Sequence, residues 1–255
     1  MLGVATAMSS GRSIVVQGTV GKAEDVVVFL PPAGSITSPY FPIGACLPDT
    51  LPAVHCEMPG RGRTAGEQTP GSVHGAVDRW ADELAALLPG RRLHLFGHSL
   101  GALFAYELAI RFEDRSGTEA ASLSASGARE PGSTPRSLVA TAFAALRGQR
   151  GTTDKEGDRE GAWLTDDLRL RQEYVTAKQP IRAPLALFCG ISDPFARPAE
   201  MEEWKRFTKG PWLGMFTFPG GHDYYLSGQE SIAAEISQIV DRSQDPERMG
   251  VENDG

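Results

Sequence analysis

With 255 residues, 41% hydrophobic and 22% charged, the chain has the length and apolar content of one large domain with a filled core; two full domains would be cramped. A formal net charge of -7 without a long basic run gives nucleic-acid binding no electrostatic support, and no apolar run reaches transmembrane length. Three scattered cysteines, Cys46, Cys56 and Cys189, make neither a disulfide framework nor a metal cluster, so a reducing, cytoplasmic setting is expected.

Taken in chain order, strand-like and helix-like segments alternate, which predicts an α/β fold: a mostly parallel sheet with helices on both faces. The Ala5-Thr6-Ala7 step is only faintly like a cleavage signal, because no cation precedes it and the apolar stretch is short. Ser13 to Gln17 reads as an edge strand. Val26 to Leu30 is a continuous β-branched and apolar run, as a strand buried on both faces requires. Pro52 to Met58, Leu93 to Phe96, Ala121 to Ser126, Leu185 to Cys189 and Leu213 to Phe218 read as further strands. Between them, Val73, Val77, Trp80, Leu84, Leu87 and Leu88 fall on one helical stripe, and Ile232, Ile236, Ile239 and Val240 on another. Ala102 to Phe112 is apolar on most sides, as a helix packed centrally on a sheet should be.

Residues from about 129 to 182 break the alternation and predict a helical cap (lid) inserted over the sheet's carboxyl edge. Two amphipathic helices are expected there, Ser137 to Leu146 and Leu164 to Ala177, the second starting near Thr165, where Asp166 and Asp167 would complement the helix dipole. Arg147 to Gly161, rich in Gly and mixed charge, reads as a solvated loop between them. A single domain over residues 1–242 and a polar, disordered tail over 243–255 complete the layout.

The chemistry concentrates at Leu93-His94-Leu95-Phe96-Gly97-His98-Ser99-Leu100-Gly101-Ala102, a strand, a GxSxG turn and a helix. Such a turn holds Ser99 in strained backbone geometry, lifts its oxygen above the sheet and sets it at a helix N-terminus, where developing negative charge is favoured. A nucleophilic serine needs a base, and the base needs an orienting acid. His222, in Pro219-Gly220-Gly221-His222-Asp223, follows the last strand; Asp193, in Gly190-Ile191-Ser192-Asp193-Pro194, follows the strand before it. The order Ser99, Asp193, His222 is that of α/β-hydrolases. Asp223 is the alternative acid, although adjacent residues orient each other poorly. His55, His74, His94 and His98 read as structural. The oxyanion would be bound by the backbone N–H of Leu100 and of Ala33, the first residue of Pro31-Pro32-Ala33-Gly34 able to donate.

Pro31-Pro32-Ala33-Gly34-Ser35 with Tyr40, Pro59-Gly60-Arg61-Gly62-Arg63, Gly97-His98-Ser99-Leu100-Gly101-Ala102, Ser192-Asp193-Pro194 and Phe218-Pro219-Gly220-Gly221-His222 together resemble the type II thioesterases of polyketide and nonribosomal peptide pathways, over about residues 26–242. The resemblance implies the same triad, Ser99, Asp193 and His222, and the Ala33 and Leu100 backbones as the oxyanion hole. It implies hydrolysis of acyl groups from the phosphopantetheine arm of an acyl or peptidyl carrier protein, mostly to edit aberrant chains, with no metal or organic cofactor. A product-releasing thioesterase or cyclase, or a stand-alone carboxylesterase, would use the same triad. The first loop lacks the His and the second Gly that the family usually has around its Ala, and Asp223 stands where an aromatic usually follows the His; these departures bear on acyl specificity. Leu138, Phe143, Leu146, Leu168 and Tyr174 are candidate walls of an acyl chamber. Arg61 and Arg63, on a loop at the same rim, are candidates to meet the acidic carrier or its phosphate, or equally to brace the loop against an acid of this chain.

Overall fold

The computed structural model describes residues 12–115, 119–134 and 155–244. Seven strands form one sheet: β1 (Ile14–Gln17), β2 (Asp25–Leu30), β3 (Ala53–Cys56), β4 (Arg92–His98), β5 (Glu119–Ser126), β6 (Leu185–Gly190) and β7 (Trp212–Phe218). Their order is β1-β3-β2-β4-β5-β6-β7, and only β1 runs antiparallel to its neighbour. All seven match the runs read from the sequence. The apolar run of β2 is fully buried from Val26 to Leu30, because helices cover both faces of a parallel sheet.

The helices are α1 (Phe41–Gly44), α2 (Val73–Leu87), α3 (Leu100–Glu113), α4 (Lys155–Glu173), α5 (Pro198–Met201) and α6 (Gln229–Gln244). Helix α2 starts at Ser72, whose hydroxyl accepts the Gly75 N–H at 3.0 Å, and buries Val73, Val77, Trp80 and Leu84 on one side. That stripe packs with α3, where the Trp80 and Phe104 rings meet edge to face at 5.0 Å. On the other face, Ile232, Ile236, Ile239 and Val240 of α6 close a second core against Phe29, Phe96 and Phe188. Each helix thus buries the stripe that its periodicity marked.

The segment between β5 and β6 departs from expectation. Helix α4 is already formed at Lys155, the first described residue of this stretch, so residues 155–161 are helical and Thr165 lies inside the helix instead of starting it. Gly and charge suggested a loop, but Lys, Glu and Arg are good helix formers, and their helical preference prevails here. The helix also stops at Glu173, short of Ala177; Tyr174 turns to the core and donates to Glu107 Oε1 at 2.5 Å. The expected helix Ser137 to Leu146, and residues 147–154 of the expected loop, lie outside the described residues. Ser243 and Gln244 belong to α6 instead of a disordered tail, and the remainder of that tail also lies outside. Among the described residues no helix is long and apolar enough to cross a membrane.

Candidate active site

The site grows from the junction of β4 and α3. Strand β4 sits mid-sheet, with Gly97 opposite Leu30 on one side and Ala125 on the other. The chain then reverses into α3 through Ser99, whose φ of 56° and ψ of -118° are unusual for any residue with a Cβ. The Ser99 N–H donates to the Ser126 carbonyl at 2.8 Å, which ties the elbow to β5. Both glycines of the turn are sterically required. A Cβ at Gly97 would collide with the Gly101 carbonyl, and one at Gly101 would lie 2.5 Å from the Leu30 carbonyl oxygen. Helix and strand approach closely only because neither residue carries a side chain.

Two loops at the carboxyl ends of β6 and β7 bring the acid and the base together. His222 Nδ1 lies 2.8 Å from Asp193 Oδ2. Asp193 is buried, and its second oxygen accepts the N–H groups of Phe195 at 2.8 Å and Ala196 at 3.3 Å. An ionised carboxylate only accepts, so it fixes the imidazole proton on Nδ1 and leaves Nε2 able to act as a base. Asp223, the alternative, is exposed; the structure brings Asp193 to the ring. Phe195 packs edge-on to His222 at 5.1 Å.

His98 is closer to this chemistry than the sequence suggested. Its ring is buried 4.5 Å from the His222 ring, and its Nδ1 shares a 2.8 Å hydrogen bond with Ser126 Oγ. Ser126 Oγ in turn lies 2.6 Å from Tyr224 Oη. Burial, then the neighbouring His222, hold the His98 pKa well below the ordinary histidine value. A neutral ring therefore backs His222, where a second cation would disfavour the imidazolium. Spacing could not show this, because the contact depends on how the β7 loop folds over the elbow.

The other histidines are structural, as expected. His55 bridges Ser38 Oγ at 2.8 Å and Gln17 Oε1 at 2.7 Å; burial drives its pKa down to about 3. His94 bridges Ser122 Oγ and Asp25 Oδ1, each at 2.9 Å. His74, half-exposed on α2, lies 3.3 Å from Glu107.

Ser99, Leu100, Ala33 and His222 line one cavity of about 100 Å³. Leu100 is the first residue of α3, so its N–H has no partner within the helix. Leu168 of α4 also lines the cavity, as expected of a chamber wall, whereas Tyr174 does not. Leu138, Phe143 and Leu146 lie outside the described residues. The two loop arginines part company. Arg61 is buried against Asp167, at 2.6 and 2.8 Å, and is not available to a carrier. Arg63 is half-exposed, 3.5 Å from buried Glu57. Asp167, read from the sequence as a helix-start acid, is instead the partner that braces this loop.

Comparison with known proteins gives the family. The thioesterase domain family model matches residues 26–240. The chain is 32% identical over 230 residues to Thioesterase PikA5 of Streptomyces venezuelae, covering 83% of this chain and 79% of that protein. The solved structure of the RedJ thioesterase from the prodiginine pathway of Streptomyces coelicolor superposes with a TM-score of 0.72 at 27% identity, over 84% of this chain and 89% of that one. The type II thioesterase BorB from the borrelidin biosynthetic cluster superposes with a TM-score of 0.75 at 25% identity, over 88% and 97% of the two chains. The chain belongs to the thioesterase family, as a serine hydrolase built on the α/β-hydrolase fold.

Proposed function

We propose that the enzyme hydrolyses acyl groups from the phosphopantetheine arm of an acyl or peptidyl carrier protein in polyketide or nonribosomal peptide assembly, with Ser99, His222 and Asp193 as the triad. The observation that carries this reading is the strained Ser99 elbow sharing one cavity with a His222 already held by Asp193. His222 Nε2 takes the Ser99 proton as Oγ attacks the thioester carbonyl. The N–H groups of Ala33 and Leu100 bind the oxyanion. The C–S bond breaks, and the thiol leaves with the proton from His222. His222 then takes a proton from water, whose oxygen attacks the acyl-serine carbonyl, and returns it to Ser99 as the acid departs. Apart from the substrate and water, every step uses only side chains and backbone of this chain, so the reaction calls for no cofactor.

The space described beside Ser99, about 100 Å³ and partly open, favours a small acyl group next to the nucleophile, which supports an editing role on short chains. Hydrolysis rates over acyl chains of increasing length on carrier proteins test this. Acetyl to butyryl groups should turn over fastest, and long chains at least tenfold more slowly by kcat/KM, since methylenes that the pocket cannot take are each worth about 1 kcal/mol or more. Preference for a full-length chain would point to product release, and equal kcat/KM on free esters to a general esterase.

A further inference from the structure

The turn that carries Ala33 is gripped by a buried ion pair to which the reaction assigns no task. Ser35 N–H donates to the Pro32 carbonyl at 3.3 Å, and Gly34, third in this turn, has a φ of 79°, as a type II turn demands. The Pro32 carbonyl and the Ala33 N–H share one peptide plane, so this bond aims the Ala33 N–H away from the turn. Two contacts then anchor the turn to the rest of the protein. Gly34 N–H donates to Asp167 Oδ2 at 2.7 Å, and Arg61 Nη1 donates to the Ser35 carbonyl at 3.2 Å. Arg61 and Asp167 hold each other through both carboxylate oxygens and are each 1% exposed. Arg61 Nη2 also reaches the Trp163 carbonyl at 3.3 Å, one helical turn before Asp167 on α4.

For stability alone, a buried ion pair is a poor choice: its desolvation offsets its attraction, and apolar residues of similar size often serve as well. What an apolar pair cannot do is accept the Gly34 N–H and donate to the Ser35 carbonyl together. That demand arises at the turn beside the nucleophile, and Asp167 lines the same cavity as Ser99 and Ala33. We propose that Arg61 and Asp167 are positioning residues. They hold the 32–35 turn so that the Ala33 N–H meets the oxyanion, and they make the oxyanion hole depend on the placement of α4. This rests on the reading of Ala33 as an oxyanion donor.

The test uses Asp167→Asn and the double variant Arg61→Met/Asp167→Leu. The double variant leaves no lone buried charge, so it should stay folded even where the single one is unstable. With a short acyl N-acetylcysteamine thioester, kcat per fluorophosphonate-titrated site should fall on the order of 10–100-fold in the double variant, with KM changed less than about threefold. Inhibition by a trifluoromethyl ketone, whose adduct places an oxyanion in the hole, should weaken by a similar factor. A merely structural pair would move the melting temperature and leave both readouts unchanged. A kcat within twofold of wild type in the folded double variant, with unchanged ketone affinity, overturns the proposal. Ser99→Ala is run beside them. If it keeps turnover, the reading of the site itself has failed; if it is dead while the double variant is fully active, only the positioning role has.

Discussion

Ser99→Ala should lower thioester turnover on the order of 10⁶-fold and abolish fluorophosphonate labelling, while the protein folds as before. The fold is spared because the elbow does not depend on the hydroxyl. Ser99 is held by its backbone N–H to Ser126, by the close approach of Gly101 to β2 and by the buried helix α3 behind it. Alanine keeps the Cβ and so keeps the strain at a φ of 56°. Ser99→Gly removes both, and should be about 1 kcal/mol more stable than Ser99→Ala in denaturant titration, since strained backbone of this kind costs of order 1–3 kcal/mol. Equal stability of the two variants would mean that the elbow stores no strain. A turnover within tenfold of wild type in either would remove Ser99 from the chemistry.

Asp193→Asn should cost on the order of 10³–10⁴-fold in kcat with little change in fold. The hydrogen bonds explain why so small a change matters. One Asp193 oxygen accepts two backbone N–H groups, from Phe195 and Ala196, and the other faces His222. In asparagine the single carbonyl oxygen stays with the two backbone donors, and the amide NH₂ turns to the ring. Nδ1 must then accept, the proton moves to Nε2, and the imidazole cannot take a proton from Ser99. Asp223→Asn, at an exposed carboxylate, should stay within about twofold. If kcat falls further in Asp223→Asn than in Asp193→Asn, the orienting acid has been misassigned.

The sheet was legible because each strand carries its own signal. Val26 to Leu30 and Leu185 to Cys189 are unbroken apolar runs, and the parallel sheet buries them on both faces. The elbow was legible because its pattern is local: Gly97 is demanded by a contact only four residues on, with Gly101. The brace at Asp167 was not, because Arg61 lies 106 positions away and nothing local at Asp167 marks a partner. Asp166 and Asp167 look alike in sequence, yet Asp166 is exposed and Asp167 buried; the rotation of α4 about its own axis, which turns Asp167 to Arg61 and Gly34, decides between them. The helical state of residues 155–161 is hidden in the sequence for a related reason: Gly and mixed charge resemble a loop until the surrounding structure settles the helix. His98 reads as structural in the sequence, because its contact with His222 exists only once β4 and the β7 loop are folded together.

The central claim is that the thioester acyl group passes through Ser99. Rapid-quench mass spectrometry tests it most directly: the enzyme is mixed with an acylated carrier protein, quenched within a turnover and digested. The expected result is a transient mass increase equal to the acyl group on the peptide containing Gly97 to Gly101, absent in Ser99→Ala, which appears as the carrier thiol is freed and decays as acid is released. Thiol release with no acylated peptide in the wild type, or acylation at another residue, would contradict it.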